Sequence, residues 1–110
     1  MQDLIADITS QYEGLSQRPL KISLDYDKTF TAAPDLWTML VVNAKNLGHD
    51  IRFVTFRHKN PIIENKDIET DARKLDIPII YSEYRPKRIA WDADIWIDDM
   101  PELIPVNLIT

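Results

Sequence analysis

Two carboxylates stand two positions apart where an apolar run ends: Lys21-Ile22-Ser23-Leu24 leads into Asp25-Tyr26-Asp27-Lys28-Thr29. A second acidic pair, Asp98-Asp99, ends another apolar run, Ile95-Trp96-Ile97. Carboxylates gathered at two strand ends form a hard-oxygen set that suits a divalent cation. The chemistry this permits is at phosphorus. An Asp titrates when free near about 3.9 and so is ionised at neutral pH. Like charges in one site favour keeping one carboxyl neutral, whereas a cation beside the other favours its ionised form.

Two further features could serve such a site. Thr55 ends the β-branched and aromatic run Asp50-Ile51-Arg52-Phe53-Val54 and offers a hydroxyl donor. Arg85-Pro86-Lys87-Arg88 is the tightest basic cluster in the chain. Arg57 and His58, just after Thr55, read as an exposed loop pair, and His49 reads as a surface residue beside Gly48. Trp37, Trp91 and Trp96 each sit inside an apolar helix or strand pattern, so they are expected in the core or at its edge rather than as a stacking platform.

The elements that must position these residues follow from periodicity. Leu4, Ile5, Ile8, Tyr12 and Leu15 recur at helical spacing and predict an amphipathic helix ending near Gly14 or Pro19. A strand over Lys21 to Asp25 precedes a polar turn. The next helix starts at Pro34, which suits a first helical position, and carries Leu36, Trp37, Leu40, Val41, Ala44 and Leu47 as a broad buried face. Gly48 falls at its left-handed cap. The second strand ends near Thr55. Asn60 and Pro61 are expected to cap and open a helix with Ile68, Ala72 and Leu75 on its apolar stripe. Ile77 to Tyr81 gives a third strand, Lys87 to Trp91 a helical turn, Asp94 to Asp98 a fourth strand, and Val106 to Ile109 a fifth.

Strands alternating with helical connections imply an α/β fold with a parallel sheet and right-handed crossovers. Ligands of such sheets bind beyond the carboxyl ends of the strands, where the strand order reverses. With the first strand central, the fourth on one side and the second on the other, Asp25, Thr55 and Asp98 converge on one crevice.

At 110 residues the chain is sized for a single domain, 1–110, with the helical segment 1–19 packing on its core. A formal net charge of -5 argues against a polyanion-coating role, which needs many Lys and Arg contacts to phosphate. No stretch is long and apolar enough for a membrane span, and no membrane partner is expected. The N-terminus lacks a signal-like pattern and the chain has no Cys, so a cytoplasmic location is expected.

With these residues in place, the chain resembles the haloacid dehalogenase superfamily, whose phosphatases carry four short motifs in this order. The first is matched by Leu24-Asp25-Tyr26-Asp27-Lys28-Thr29 and the second by Phe53-Val54-Thr55. The third, a Lys or Arg near a helix start, has Arg85, Lys87 and Arg88 as candidates. The fourth is matched by Ile97-Asp98-Asp99. Lys87 is preferred as the site cation because it follows Pro86 at the helix start, whereas Arg88 lies about a hundred degrees further round and Arg85 precedes the turn.

The resemblance implies a three-layer α/β/α Rossmann-like core with a mostly parallel sheet and no cap domain. It implies a magnesium-dependent phosphomonoester hydrolase. Asp25 would be nucleophile and Asp27 general acid and base. Thr55 and Lys87 would bind the phosphoryl group. Asp25, the carbonyl of Tyr26, Asp98 and Asp99 would hold Mg2+, with Asp99 binding directly or through water. The short intervals after the first and second motifs leave an open site, suited to a phosphorylated macromolecule end, or to a small phosphate ester with a second subunit of a homo-oligomer as lid.

Two other classes share some of these residues. A phosphoacceptor signalling domain places its acidic pair after the first strand and its acceptor later, the reverse of the order here. A catalytically idle binding module on the same fold would have little use for Asp27.

Overall fold

The computed structural model describes residues 2–14, 17–60 and 62–105. Helices and strands alternate as α1 (Gln2–Ser10), β1 (Lys21–Leu24), α2 (Pro34–Asn46), β2 (Asp50–Thr55), α3 (Lys66–Leu75), β3 (Ile79–Tyr81), α4 (Lys87–Ala90) and β4 (Ile95–Ile97). The strands form one all-parallel sheet in the order β3-β2-β1-β4. From β1 the chain steps outward through β2 to β3, then returns to lay β4 on the opposite side of β1. The strand order therefore reverses beside β1, and a crevice opens there at the carboxyl ends.

The sheet's burial follows its pairing. β1 hydrogen-bonds on both edges, with Ile22 opposite Ile51 and Ile95, and Leu24 opposite Phe53 and Ile97. Ile22, Ser23 and Leu24 are buried, as are Ile51, Phe53, Val54 and Thr55 of β2. Strands buried on both faces need apolar residues at nearly every position, and these runs supply them. The edge strands β3 and β4 are three residues each and incompletely buried.

One face of the sheet is covered by α2 and α3, which contact each other. Val41 and Ala44 of α2 and Ile68 and Ala72 of α3 join Leu24, Phe53, Tyr26 and Phe30 in one core cluster. Phe53 has no exposed surface, so its truncation to Ala should cost roughly 3–5 kcal/mol.

Local chemistry sets the helix ends. Pro34 occupies the first turn of α2, where its missing N–H costs nothing. At the other end Gly48 has φ +88, and the amides of Gly48 and His49 bond back to the carbonyls of Lys45 (3.0 Å) and Ala44 (2.9 Å). These two bonds satisfy carbonyls that the last turn would otherwise leave open.

Several sequence expectations need correction. The buried face of α2 is narrower than expected: Leu36 is 55% exposed and Leu47 75%. Leu36 lies about 90° from the centre of the Trp37, Leu40, Val41, Ala44 stripe, and Leu47 stands at the cap, past the last packed turn. The third helix begins at Lys66 rather than directly after Asn60, which was expected to cap it. The Asn65 side chain donates to the carbonyls of His58 (3.0 Å) and Lys59 (2.9 Å), closing 58–65 into a loop that ends in a single 3-10 turn, Ile63–Asn65.

The apolar stripe of α1 does not pack on the core in its described part: Leu4, Ile5, Ile8 and Tyr12 are all exposed. His49 is no idle surface residue, since its Nδ1 accepts the amide of Leu20 (2.9 Å) at the start of β1. Pro78 precedes β3 and offers its carbonyl to Phe53 (3.1 Å). The readings placed on Leu15, Pro61 and Val106 to Ile109 lie outside the described residues. Among the described residues no helix is long and apolar enough to cross a membrane.

Candidate active site

Asp25 is the last rung of β1. Its amide donates to the Ile97 carbonyl (2.9 Å), so the residue is still held by β4 as the chain leaves the sheet. The turn that follows, Tyr26–Phe30, closes with wide bonds from Phe30 to the Asp25 carbonyl (3.2 Å) and from Thr31 to the Tyr26 carbonyl (3.1 Å). Asp27 is extended within it and Lys28 is left-handed at φ +66. The Lys28 amide is capped by the Thr31 hydroxyl at 2.9 Å.

Rings anchor this turn. Tyr26 and Phe30 stack with centroids 5.7 Å apart, and both meet Phe53 edge-on at 5.2 and 5.1 Å. The Tyr26 hydroxyl donates to Asp71 (2.6 Å). With Tyr26, Thr29 and Phe30 buried, Asp27 and Lys28 are turned outward to solvent.

Lys87, at the first position of α4, is 1% exposed and donates to Asp25 Oδ1 (2.8 Å) and Asp98 Oδ2. Arg88 points elsewhere, to Asp92 (2.7 Å) and over the Trp96 ring, and Arg85 stays exposed. Asp98 is fixed on its other side by the Met100 amide, which donates to Oδ1 at 2.9 Å. Thr29 joins the two strand ends: its hydroxyl donates to Asp25 Oδ2 (2.9 Å), lies 3.3 Å from Asp99 Oδ1, and accepts the Asp99 amide (3.2 Å). Thr55 is buried, and its Oγ1 accepts the Arg57 amide (3.2 Å). Among the described residues its hydroxyl proton goes to no protein oxygen, so it remains for a ligand.

These groups line one cavity of about 290 Å3 at the carboxyl ends of β1, β2 and β4, shared by Asp25, Asp27, Thr55, Lys87, Asp98 and Asp99. Oxygens of Asp25, Asp98 and Asp99 all lie within 4.8 Å of one another. Three carboxylates facing one buried ammonium leave an excess of negative charge when all are ionised, which a divalent cation offsets. The donor set is the hard-oxygen type that magnesium takes, so the residues present fit that ion. The Tyr26 carbonyl accepts Thr31 N–H and keeps a second lone pair.

Burial pushes the Asp25 carboxyl up to about 6; the Lys87 ammonium pulls the other way, and the nearby Asp99 and Asp98 carboxylates add to the rise. Asp99 is held below its ordinary value, first by a hydrogen bond from the Asp25 carboxyl, against some burial, with Thr29 adding to it. Without a cation, Asp25 is therefore the carboxyl of this pair that takes up a proton first, as pH falls through about 6.

Asp27 is brought to the cavity but not to Asp25. Its carboxylate receives two bonds from Arg57, Nε to Oδ2 (3.0 Å) and Nη2 to Oδ1 (2.6 Å). Arg57 also donates to both oxygens of Asp67 (2.8 and 3.0 Å) and to the Glu64 carbonyl (3.2 Å), and it lies over the Tyr26 ring. The Asp67 and Asp27 carboxylates raise the Arg57 guanidinium above its ordinary range, and the same contact lowers Asp67.

The expectation of an exposed Arg57–His58 loop pair is thus corrected for Arg57. The signal was present in the spacing: Arg57 continues the two-residue alternation from Thr55, which directs both to the same side of the strand end.

No protein-family profile, curated protein or solved structure matches the chain.

Proposed function

We propose that the chain is a magnesium-dependent phosphomonoester hydrolase of the haloacid dehalogenase type, acting through an aspartyl-phosphate on Asp25. The observation that carries this reading is the buried Asp25 carboxylate, gripped by Lys87 and Thr29 with the Asp98 and Asp99 carboxylates beside it. A structural ion pair alone would have no need of two further carboxylates at an open cavity. The reading brings with it a three-layer, Rossmann-like core without a cap domain.

The residues divide the work as follows. Bound by Asp25, Asp98, Asp99 and the Tyr26 carbonyl, magnesium would supply positive charge to the phosphoryl oxygens and favour ionised Asp25. An Asp25 oxygen attacks phosphorus as the bond to the leaving oxygen breaks, and Asp27 gives that oxygen its proton. Water then attacks phosphorus and passes a proton to Asp27, and the bond to Asp25 breaks, restoring both carboxyls. Thr55 donates to a phosphoryl oxygen, and Lys87 holds Asp25 in place while offsetting charge on the transferring group.

Both oxygens of Asp27 already accept bonds from Arg57. The first step needs Asp27 protonated, and this is the observation that most favours the alternative, a binding module on the same fold without turnover.

One experiment separates the two. Hydrolysis of a simple aryl phosphate is measured with and without Mg2+ in the parent, Asp25→Asn and Asp27→Asn. The hydrolase reading expects magnesium-dependent turnover, abolished by Asp25→Asn and reduced roughly 100-fold or more by Asp27→Asn. A parent that binds magnesium yet turns over no phosphate ester supports the binding module.

A further inference from the structure

The loop between β3 and α4 carries two consecutive residues in the left-handed region, Glu83 (φ +57) and Tyr84 (φ +64), neither of them Gly. A bulky side chain there is costly, and such strain persists only where neighbouring structure over-determines it. Here it does. The amides of Ser82, Glu83 and Tyr84 donate in turn to the carbonyls of Thr55 (2.9 Å), Arg57 (3.1 Å) and Phe56 (2.9 Å), clipping the loop to the end of β2.

The product of that strain is an aromatic ring standing in solvent. Tyr84 is 65% exposed, supported from one side by Phe56 at 5.6 Å and flanked by His58 at 5.8 Å. It lines the cavity that holds Asp25, Thr55 and Lys87, and it also lines an adjoining one of about 260 Å3. Arg57 and Tyr84 are common to both, and the second cavity is completed by polar groups including His58, Asn60 and Glu64.

From this geometry we infer that the second cavity is the leaving-group subsite and that Tyr84 is its stacking platform. The substrate is a small phosphomonoester whose alcohol part carries a planar heteroaromatic ring, of the nucleoside monophosphate kind. The inference rests on the phosphatase reading for the position of the phosphate, and on the exposed ring and second cavity for the rest.

Charge limits the substrate further. Glu64 lines the second cavity, Glu83 lies 3.6 Å from the His58 ring that also lines it, and Arg57 is already matched by Asp27 and Asp67. A neutral ring is accommodated there, whereas the further phosphates of a polynucleotide meet carboxylates. A mononucleotide fits this chemistry better than a nucleic-acid end.

The test measures binding, so that it does not depend on turnover. Asp25→Asn protein in Mg2+ is titrated calorimetrically with adenosine 5′-monophosphate, ribose 5-phosphate and a 5′-phosphorylated tetranucleotide. The nucleotide is expected to bind more tightly than the sugar phosphate by roughly fivefold to a hundredfold, the range that ring stacking supplies. Adding Tyr84→Gly, which relieves the backbone strain while removing the ring, should erase that ratio without lowering the thermal midpoint. Tyr84→Phe should keep it.

Equal affinity for the two small esters, or a ratio that survives Tyr84→Gly, overturns the inference. So does tighter binding of the tetranucleotide than of the mononucleotide. A Tyr84-dependent preference in a protein whose parent form hydrolyses neither ester upholds the subsite and defeats the phosphatase reading.

Discussion

One guanidinium joins two carboxylates from different parts of the chain: Arg57 grips both oxygens of Asp27, and also donates to both oxygens of Asp67. The pairing fixes the outward half of the Tyr26–Phe30 turn against the loop after β2. Asp27's place in the cavity thus depends on a residue 30 positions away.

Arg57→Gln should therefore reduce turnover about 10- to 100-fold, because it leaves Asp27 unheld, and misplacement of a reacting group by about 1 Å can cost that much. Arg57→Lys should not restore it, since an ammonium cannot make the two-bond fork. Asp67→Asn should cost less, as the contact between Arg57 and Asp27 survives. Steady-state kinetics on an aryl phosphate across the three variants checks the order.

Removing the hydroxyl of Thr55 tests the phosphoryl contact. Thr55→Val keeps the shape of a buried strand-end residue but deletes the free donor, and should lower the rate by about 100-fold if that donor meets developing charge. Thr55→Ser should retain most of the activity. Fold stability, followed by urea unfolding, should fall by only about 1 kcal/mol in Thr55→Val, the worth of the lost Arg57 amide bond.

Lys87→Met leaves Asp25 and Asp98 without their buried cation. Breaking such a pair from one side costs about 3–5 kcal/mol, so the metal-free variant should unfold at markedly lower urea concentration. Magnesium should recover more stability in the variant than in the parent, because it becomes the main positive charge in the cluster.

The raised Asp25 carboxyl gives the metal-free protein a distinct pH profile. Its value of about 6 in the fold lies above the ordinary 3.8, so the folded state binds the proton more tightly than the unfolded chain does. That contribution is fully present below about 4, shrinks as pH rises through about 6, and is gone above about 7. Asp99, lowered in the fold, acts in the opposite sense, losing its contribution as pH falls below about 4. Since Mg2+ must displace the proton, it should raise the thermal midpoint strongly at pH 7.5 and little at pH 5. Thermal unfolding in EDTA and in Mg2+ at the two values measures this directly.

Much of the sheet was legible because β1, β2 and β4 announce themselves as short β-branched or aromatic runs that end in Asp or Thr. Convergence of Asp25, Thr55 and Asp98 required β1 between β2 and β4, and the structure has that order. Lys87 was legible as a candidate because a helix start leaves little freedom in where its first side chain points. Arg57 was not, since its significance lies in Asp27 and Asp67, which no local pattern connects to it. The late start of α3 was missed for a similar reason: Asn60 and Pro61 form a sound local signal, but Asn65 takes up two loop carbonyls and moves the start to Lys66. The outer residues of α2 misled in the other direction, because a sequence shows that Leu36 and Leu47 are apolar without showing how far the sheet beneath them extends.

Asp98 and Asp99 follow a three-residue strand that is paired, among the described residues, only to β1, while Asp25 belongs to the sheet's interior. Short edge strands open locally at lower free energy than the centre of a sheet. Fraying of β4 would separate the carboxylates while the rest of the sheet stayed folded. Retention of the ion would then report on the edge of the sheet, and a bound ion would in turn act as a rivet holding that edge closed.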